Sequence, residues 1–257
     1  MRILILGCGW VGEDVAKYYI ENGFQVYATC TSIEKKEFLT ALGLQVALVN
    51  FDEESTIAEF PSNFDFVLNS IPASSRSSME EIAIRFQNVR RYLNQIQVKK
   101  QIFLSSIGIY PDRDGVFDET YTKYLNERLL LSENSIQLDN TFIYRLGGLF
   151  GKNRIFAKYF SNRVCTTGEQ PANFIHVHDV VSLIVKGFES DLNHSIYNLV
   201  APDHPTKQEV IIASAKKYGF DLPSTFDSEN SFQKIVDGSK IVKEINFSFK
   251  YFSPLNF

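Results

Sequence analysis

Ile3-Leu4-Ile5-Leu6-Gly7-Cys8-Gly9-Trp10-Val11-Gly12 opens the chain and decides its fold. Four apolar residues in a row suit a strand covered on both faces, and they run straight into a G-x-G-x-x-G turn. Gly7 can make the tight bend. Gly9 has no Cβ and leaves room for a diphosphate against its backbone, and Gly12 lets the next helix pack close to the strand. That helix is apolar at Val15, Ala16, Tyr19 and Ile20 and stops at Asn22-Gly23. Its leading N–H groups would point at an anion. A plain βα turn without ligand is the alternative, but the strand–turn–helix context argues against it. Gly7, Cys8, Gly9, Trp10, Val11 and Gly12 are therefore the first candidate dinucleotide contacts.

Working outward, strand-like and helix-like segments alternate, as in a doubly wound parallel sheet. Phe24–Thr29, Gln45–Asn50, Phe64–Asn69, Gln101–Ser105 and Thr141–Leu146 read as further strands. Ser70, Ile71 and Pro72 follow the strand ending at Asn69; the proline stops regular pairing, and all three count among the cofactor contacts. Ser78 and Glu81 fit a capping box, followed by a helical face of Ile82, Phe86, Val89, Leu93 and Ile96. Tyr121–Glu133 is expected as a helix. Beyond Gly151 the rhythm is irregular: a short strand at Phe174–Val177, a helix over Asp179–Phe188 and a strand at Ile196–Val200. A second capping box, Thr206 and Glu209, starts a helix that stops near Gly219, and an aromatic-rich tail runs from Ser239. The expected architecture is α/β: a Rossmann-type sheet over residues 1–155 and a small substrate lobe over 156–257, with 174–200 returning to the sheet.

The 257 residues are 44% hydrophobic and 22% charged, with net charge −4 and no long basic run. A nucleic-acid or anionic-membrane partner is not indicated. No apolar stretch approaches membrane-spanning length, and a strand beginning at Ile3 leaves no room for a signal peptide. Cys8, Cys30 and Cys165 are far apart, which argues against a disulfide framework or zinc knuckle and for a reducing cytoplasm.

Several stretches together resemble the extended short-chain dehydrogenase/reductase family, in its nucleoside-diphosphate-sugar epimerase branch. They are the Gly7–Gly12 turn, Phe103-Leu104-Ser105-Ser106-Ile107-Gly108-Ile109-Tyr110 and Tyr144-Arg145-Leu146-Gly147-Gly148-Leu149-Phe150-Gly151. Asn173-Phe174-Ile175-His176-Val177-His178-Asp179-Val180 and Tyr197-Asn198-Leu199 follow in the family's order. The resemblance implies an NAD(P) cofactor, a nucleotide-sugar or related hydroxyl/carbonyl substrate, and a homodimer through the helices flanking the active site. It makes Asp52 an adenine contact, although Asp52, Glu53 and Glu54 equally form an acidic loop. After the second strand there is no carboxylate until Glu34 to accept from a ribose diol. Thr31, Ser32, Lys35 and Lys36 suit a 2′-phosphate better, which favours NADP mildly over NAD; a solvated helix start is the competing reading.

In the resembled family a tyrosinate takes the substrate's hydroxyl proton, and a lysine four residues on lowers its pKa. A Ser or Thr after the fifth strand hydrogen-bonds the reacting oxygen. Matching through Ser105–Tyr110 assigns that last role to Ser106, against a serine that only closes a strand. The Tyr-x-x-x-Lys pair is absent: Tyr121 is followed four residues on by Leu125, and Tyr124 by Arg128. Tyr124 with Arg128 keeps the i, i+4 spacing and a positive charge, though a guanidinium is no contact-for-contact substitute for an ammonium. Matching backward from Glu133 instead puts Leu125 at the tyrosine place. Both an enzyme with Tyr124 as base and a cofactor-binding module without turnover remain open. Arg145, with Arg154 and Arg163, is a candidate for a substrate diphosphate, and Asn173 and His176 border the substrate lobe. His176 and His178, two apart on a strand, would face opposite ways, so no metal is expected. Cys8 reads as a small filler.

Overall fold

A computed structural model describes residues 1–53 and 60–257, so Glu54 of the acidic loop lies outside the described residues. The chain begins β1 (Arg2–Leu6), α1 (Trp10–Glu21), β2 (Gln25–Cys30), α2 (Ile33–Ala41), β3 (Gln45–Leu48) and β4 (Asn63–Asn69). It continues α3 (Met79–Leu93), β5 (Gln97–Ser106), a 3-10 turn at Ile107–Ile109, β6 (Gly115–Phe117), α4 (Glu127–Ile136) and β7 (Thr141–Leu146). Then come β8 (Gly148–Phe150), β9 (Val164–Cys165), β10 (Phe174–His176), α5 (Val177–Glu189) and β11 (Ile196–Leu199). The chain closes with α6 (Lys207–Tyr218), β12 (Thr225–Phe226), β13 (Lys234–Val236) and α7 (Ser239–Glu244).

The main sheet has seven strands in the order β11-β7-β5-β4-β1-β2-β3. The run from β5 through β4, β1 and β2 to β3 is parallel, with Ile3 opposite Val26 on one side and Phe66 on the other. Strand order reverses at β1: the chain first builds outward to β3, then returns to lay β4 on β1's other edge. This is the doubly wound Rossmann-type arrangement, whose ligands sit at the carboxyl ends of the strands beside the crossover. The four apolar residues of β1 are explained by its two covered faces. Leu4 and Leu6 join a core with Ile82, Phe86 and Val89 of α3, while the Cβ position of Gly12 in α1 lies 3.1 Å from Ile5. Each such fully buried side chain contributes about 1.5–3 kcal/mol.

By contact density the chain divides into two compact units. The first comprises 1–109, 125–144 and 184–196, and the second 110–124, 145–183 and 197–257. The second unit thus takes in 110–124 and 145–155, which a single boundary near 155 assigns to the first. It carries three two-stranded parallel pairs: β10 with β8, β12 with β9, and β13 with β6. Of the segment 174–200, β11 joins the main sheet, whereas β10 pairs with β8.

The helix expected at Tyr121 begins six residues later. Asp118 makes a turn instead, accepting the Thr120 N–H at 2.8 Å, and Asn126 caps α4 by accepting the Leu129 N–H at 3.3 Å. Tyr124, between these, has φ 52°. His178 is also placed differently from expectation: the strand stops at His176 and helix α5 starts at Val177. The opposite-faces argument therefore does not apply to the histidine pair.

Candidate functional site

Within the first unit, the ends of β1, β2 and β4 are tied by hydrogen bonds. Gly7 has φ +70°, a left-handed value that only glycine adopts without strain, and a Cβ there would come 2.8 Å from Ile71. Its N–H donates to Thr29 Oγ1 at 2.9 Å, the Cys8 N–H donates to the Thr29 carbonyl at 2.8 Å, and the Ser70 hydroxyl donates to the Gly7 carbonyl at 2.6 Å. Gly9 occupies the N-cap of α1, where it supplies no capping side chain; α2, α3 and α6 are capped by Ser32, Ser78 and Thr206. A Cβ on Gly9 would meet nothing closer than the Gly7 carbonyl at 3.8 Å. Open space over a bare helix start is what a dinucleotide's diphosphate requires, so these residues fit the group.

Beside this turn lies a cavity of about 310 Å³. Gly7 and Thr31 line one part of it, Asp52, Ile71 and Pro72 another, and Arg85 of α3 completes the wall. Asp52 is held by Arg85, Nε to Oδ1 at 2.6 Å and Nη2 to Oδ2 at 3.0 Å. Arg85 and the buried Thr29 escaped the sequence reading. Thr29 had a signal, a hydroxyl in a strand that is otherwise apolar from Val26 on, whereas Arg85 looks like any polar helix position because its partner lies 33 residues away.

The polar residues after β2 are largely committed to the fold. The Ser32 hydroxyl caps α2 by accepting the Lys35 N–H at 3.2 Å, and the Lys35 ammonium is paired with Glu13 of α1. Thr31 is exposed at the cavity's edge. Burial pushes the Cys8 thiol up to about 12, which leaves it protonated and fits a small packing residue.

Ser106 ends β5, and its hydroxyl oxygen accepts the Gly108 N–H at 3.1 Å. Its neighbour Ser105 points inward and donates to the buried Glu133 at 2.6 Å. Tyr124 and Arg128 do not share a helix face: Arg128 lies in α4, while Tyr124 precedes the cap and is 76% exposed, with the Arg113 guanidinium 5.4 Å from its ring centroid. The expected i, i+4 pair is corrected accordingly.

In the second unit Arg145 is buried rather than presented to a ligand. Its Nη1 donates to the Tyr110 hydroxyl at 3.0 Å, and that hydroxyl donates to Asn198 at 2.9 Å. Burial raises the Tyr110 pKa, with Arg145 and the hydrogen bonds opposing it. Asn173 is spent on backbone: it donates to the Lys234 carbonyl at 2.7 Å and accepts the Val236 N–H at 2.8 Å. The His176 ring stacks on Tyr251 with centroids 3.6 Å apart, and its Nδ1 accepts the His178 N–H at 3.1 Å. Burial, opposed by Asp179, lowers its pKa to about 4, so it is neutral near pH 7. These three residues brace the second unit. A separate pocket of about 220 Å³ in that unit is lined by Phe150, Arg154, Phe156, Tyr159 and Phe174.

The crossover, the glycine turn and the strand order together define a Rossmann-type α/β fold, the fold shared by the solved structures that the chain superposes on. No family model matches the chain. It is similar over its whole length to Protein YeeZ of Escherichia coli K12, at 27% identity, covering 99% of this chain and 97% of that protein. It is 26% identical to the photosystem II assembly factor Ycf39 of Synechocystis sp. PCC 6803, over 74% of this chain and 59% of that one. Among solved structures, a Bacillus cereus UDP-glucuronic acid 4-epimerase in complex with NAD superposes with a TM-score of 0.79 at 16% identity, covering 99% and 95% of the two chains.

Proposed function

We propose that the chain binds NAD or NADP across the carboxyl ends of β1, β2 and β4. On this reading it passes hydride between that cofactor and a small molecule bearing a hydroxyl or carbonyl, a nucleotide-sugar being the leading class. The carrying observation is the bare, roomy N-terminus of α1 at Gly9, next to the cavity bounded by Thr31 and Asp52. When bound, the nicotinamide would accept or return the hydride. Gly7–Gly12 would hold the diphosphate, Asp52 would accept from the adenine amino group, and Ser70–Pro72 would close the turn. Ser106 would hydrogen-bond the reacting oxygen through its hydroxyl, whose own oxygen accepts from the Gly108 N–H. The aromatic pocket with Arg154 suits a nucleobase and its phosphates. The absence of a carboxylate in Thr29–Ile33 supports NADP over NAD by a small margin, with Lys35 drawn to Glu13 reducing that margin.

A second reading, a cofactor-responsive module without turnover, is favoured by one observation: Tyr124 stands outside α4, apart from the helix that carries Arg128. Calorimetric titration with NADH and NADPH tests the first step, and nicotinamide absorbance in the presence of UDP-sugars tests the second. Absence of heat with either nucleotide sinks both readings. Binding with no absorbance change in wild type and Ser106→Ala alike selects the module.

A further inference from the structure

We propose that Arg85 is an adenine-binding residue, presenting the flat face of its guanidinium to the base of the bound nucleotide. This rests on the cofactor reading above and adds a residue to it. Arg85 lies on α3 and its side chain is 12% exposed, inside the wall of the cavity that also contains Asp52 and Thr31. Its edges are engaged. Nε and Nη2 hold the two oxygens of Asp52, Nη2 also donates to Ser77 Oγ at 3.1 Å, and Nη1 donates to the Pro72 carbonyl at 2.8 Å. One side chain thus fastens the segment after β3, the segment after β4 and the approach to α3. One turn further along the helix, Asn88 donates to the Phe51 and Glu53 carbonyls at 2.9 and 3.0 Å and secures the same loop.

With its in-plane donors taken by protein groups and its side chain lining the cavity, the guanidinium would meet a ligand through its delocalised face, and a heteroaromatic ring is the partner that such a face takes best. The cavity, about 310 Å³, has room for a nucleobase with its ribose. Arg85 also neutralises Asp52, so a base amino group can approach that carboxylate without adding an unpaired charge to the wall.

The test compares ligands with and without adenine by calorimetry on the full chain: NADH and 5′-AMP against reduced nicotinamide mononucleotide. Arg85→Gln should weaken NADH and AMP about tenfold and leave the mononucleotide unchanged. Arg85→Lys keeps a charge for Asp52 but has no planar face; it should still melt cooperatively and bind reduced nicotinamide mononucleotide like wild type, yet lose AMP. Lysine restoring AMP affinity would overturn the stacking role. So would AMP binding to Arg85→Gln within twofold of wild type, or an equal loss of all ligands, which marks a purely structural residue. If wild type binds none of the three, the cofactor reading itself fails, which is a different result from an Arg85 variant that binds like its parent.

Discussion

His176 and Gly9 are single residues whose environments make opposite predictions about stability. The imidazole of His176 is buried against Tyr251 and has a folded pKa of about 4, whereas an unfolded histidine titrates near 6.5. Between those values the unfolded chain binds more protons, so stability rises with pH in that window. The contribution is whole above about pH 6.5 and is lost as pH falls through about 4. The melting temperature should therefore drop steeply from pH 7 to pH 4, and His176→Phe, which retains a ring against Tyr251, should show a shallower slope. An unchanged slope would remove His176 as the source. Gly9 is the converse case, since its backbone is ordinary and its Cβ direction is open. Gly9→Val should melt within about 0.5 kcal/mol of wild type, like a surface change, yet lose dinucleotide binding in the same titration. At Gly187 there is no such freedom: a Cβ would lie 1.8 Å from the Tyr144 hydroxyl, and Gly187→Ala should cost about 1–3 kcal/mol on urea denaturation.

The helices separate what sequence can tell from what it cannot. The capping boxes at Ser78 and Thr206 are read directly from residues three apart, and both are present in the structure. Ser78→Ala or Thr206→Ala should each cost about 1 kcal/mol. Helix α4 starts at Glu127 and not at Tyr121 because short polar side chains claim the backbone before it. Asp118-x-Thr120 and Asn126 are residues whose short side chains bond nearby N–H groups, making a turn and then a cap. Asn126→Ala should cost a similar amount, seen as a lower urea midpoint, while Tyr124→Ala should leave stability almost unchanged. Arg145 was misplaced for another reason. Its local sequence resembles a ligand contact, but its partner Tyr110 lies 35 residues away and only folding joins them. Long-range side-chain pairs such as this, or Arg85 with Asp52, have no periodic signature. Strand β1 did, because burial on both faces leaves an uninterrupted apolar run from Ile3 to Leu6.

Across the whole molecule, the first unit is assembled from three separate stretches of chain. Phe188, near the end of α5, stacks on Phe66 with centroids 4.7 Å apart and meets Tyr19 at 6.4 Å. Lys100 donates to the carbonyls of Gly187 and Phe188, both at 3.2 Å. A fragment of residues 1–155 lacks this cover and should fail to give a cooperative melt or bind NADH, although it contains the entire glycine turn; a fragment that did both would place the boundary where the sequence alone suggested. In the intact chain, nucleotide at a hundred times its Kd should add about 2.7 kcal/mol to stability.

The late arrival of Phe188 also bears on how the protein is made. A ribosome releases Tyr19 and Phe66 long before it synthesises the residue that shields them, so an aromatic surface stays wet for the time needed to add more than a hundred further residues. At about 5–20 residues per second, that is several seconds or more in which the nascent polypeptide presents a sticky patch, a target for a trigger-type holdase and a hazard when translation stalls.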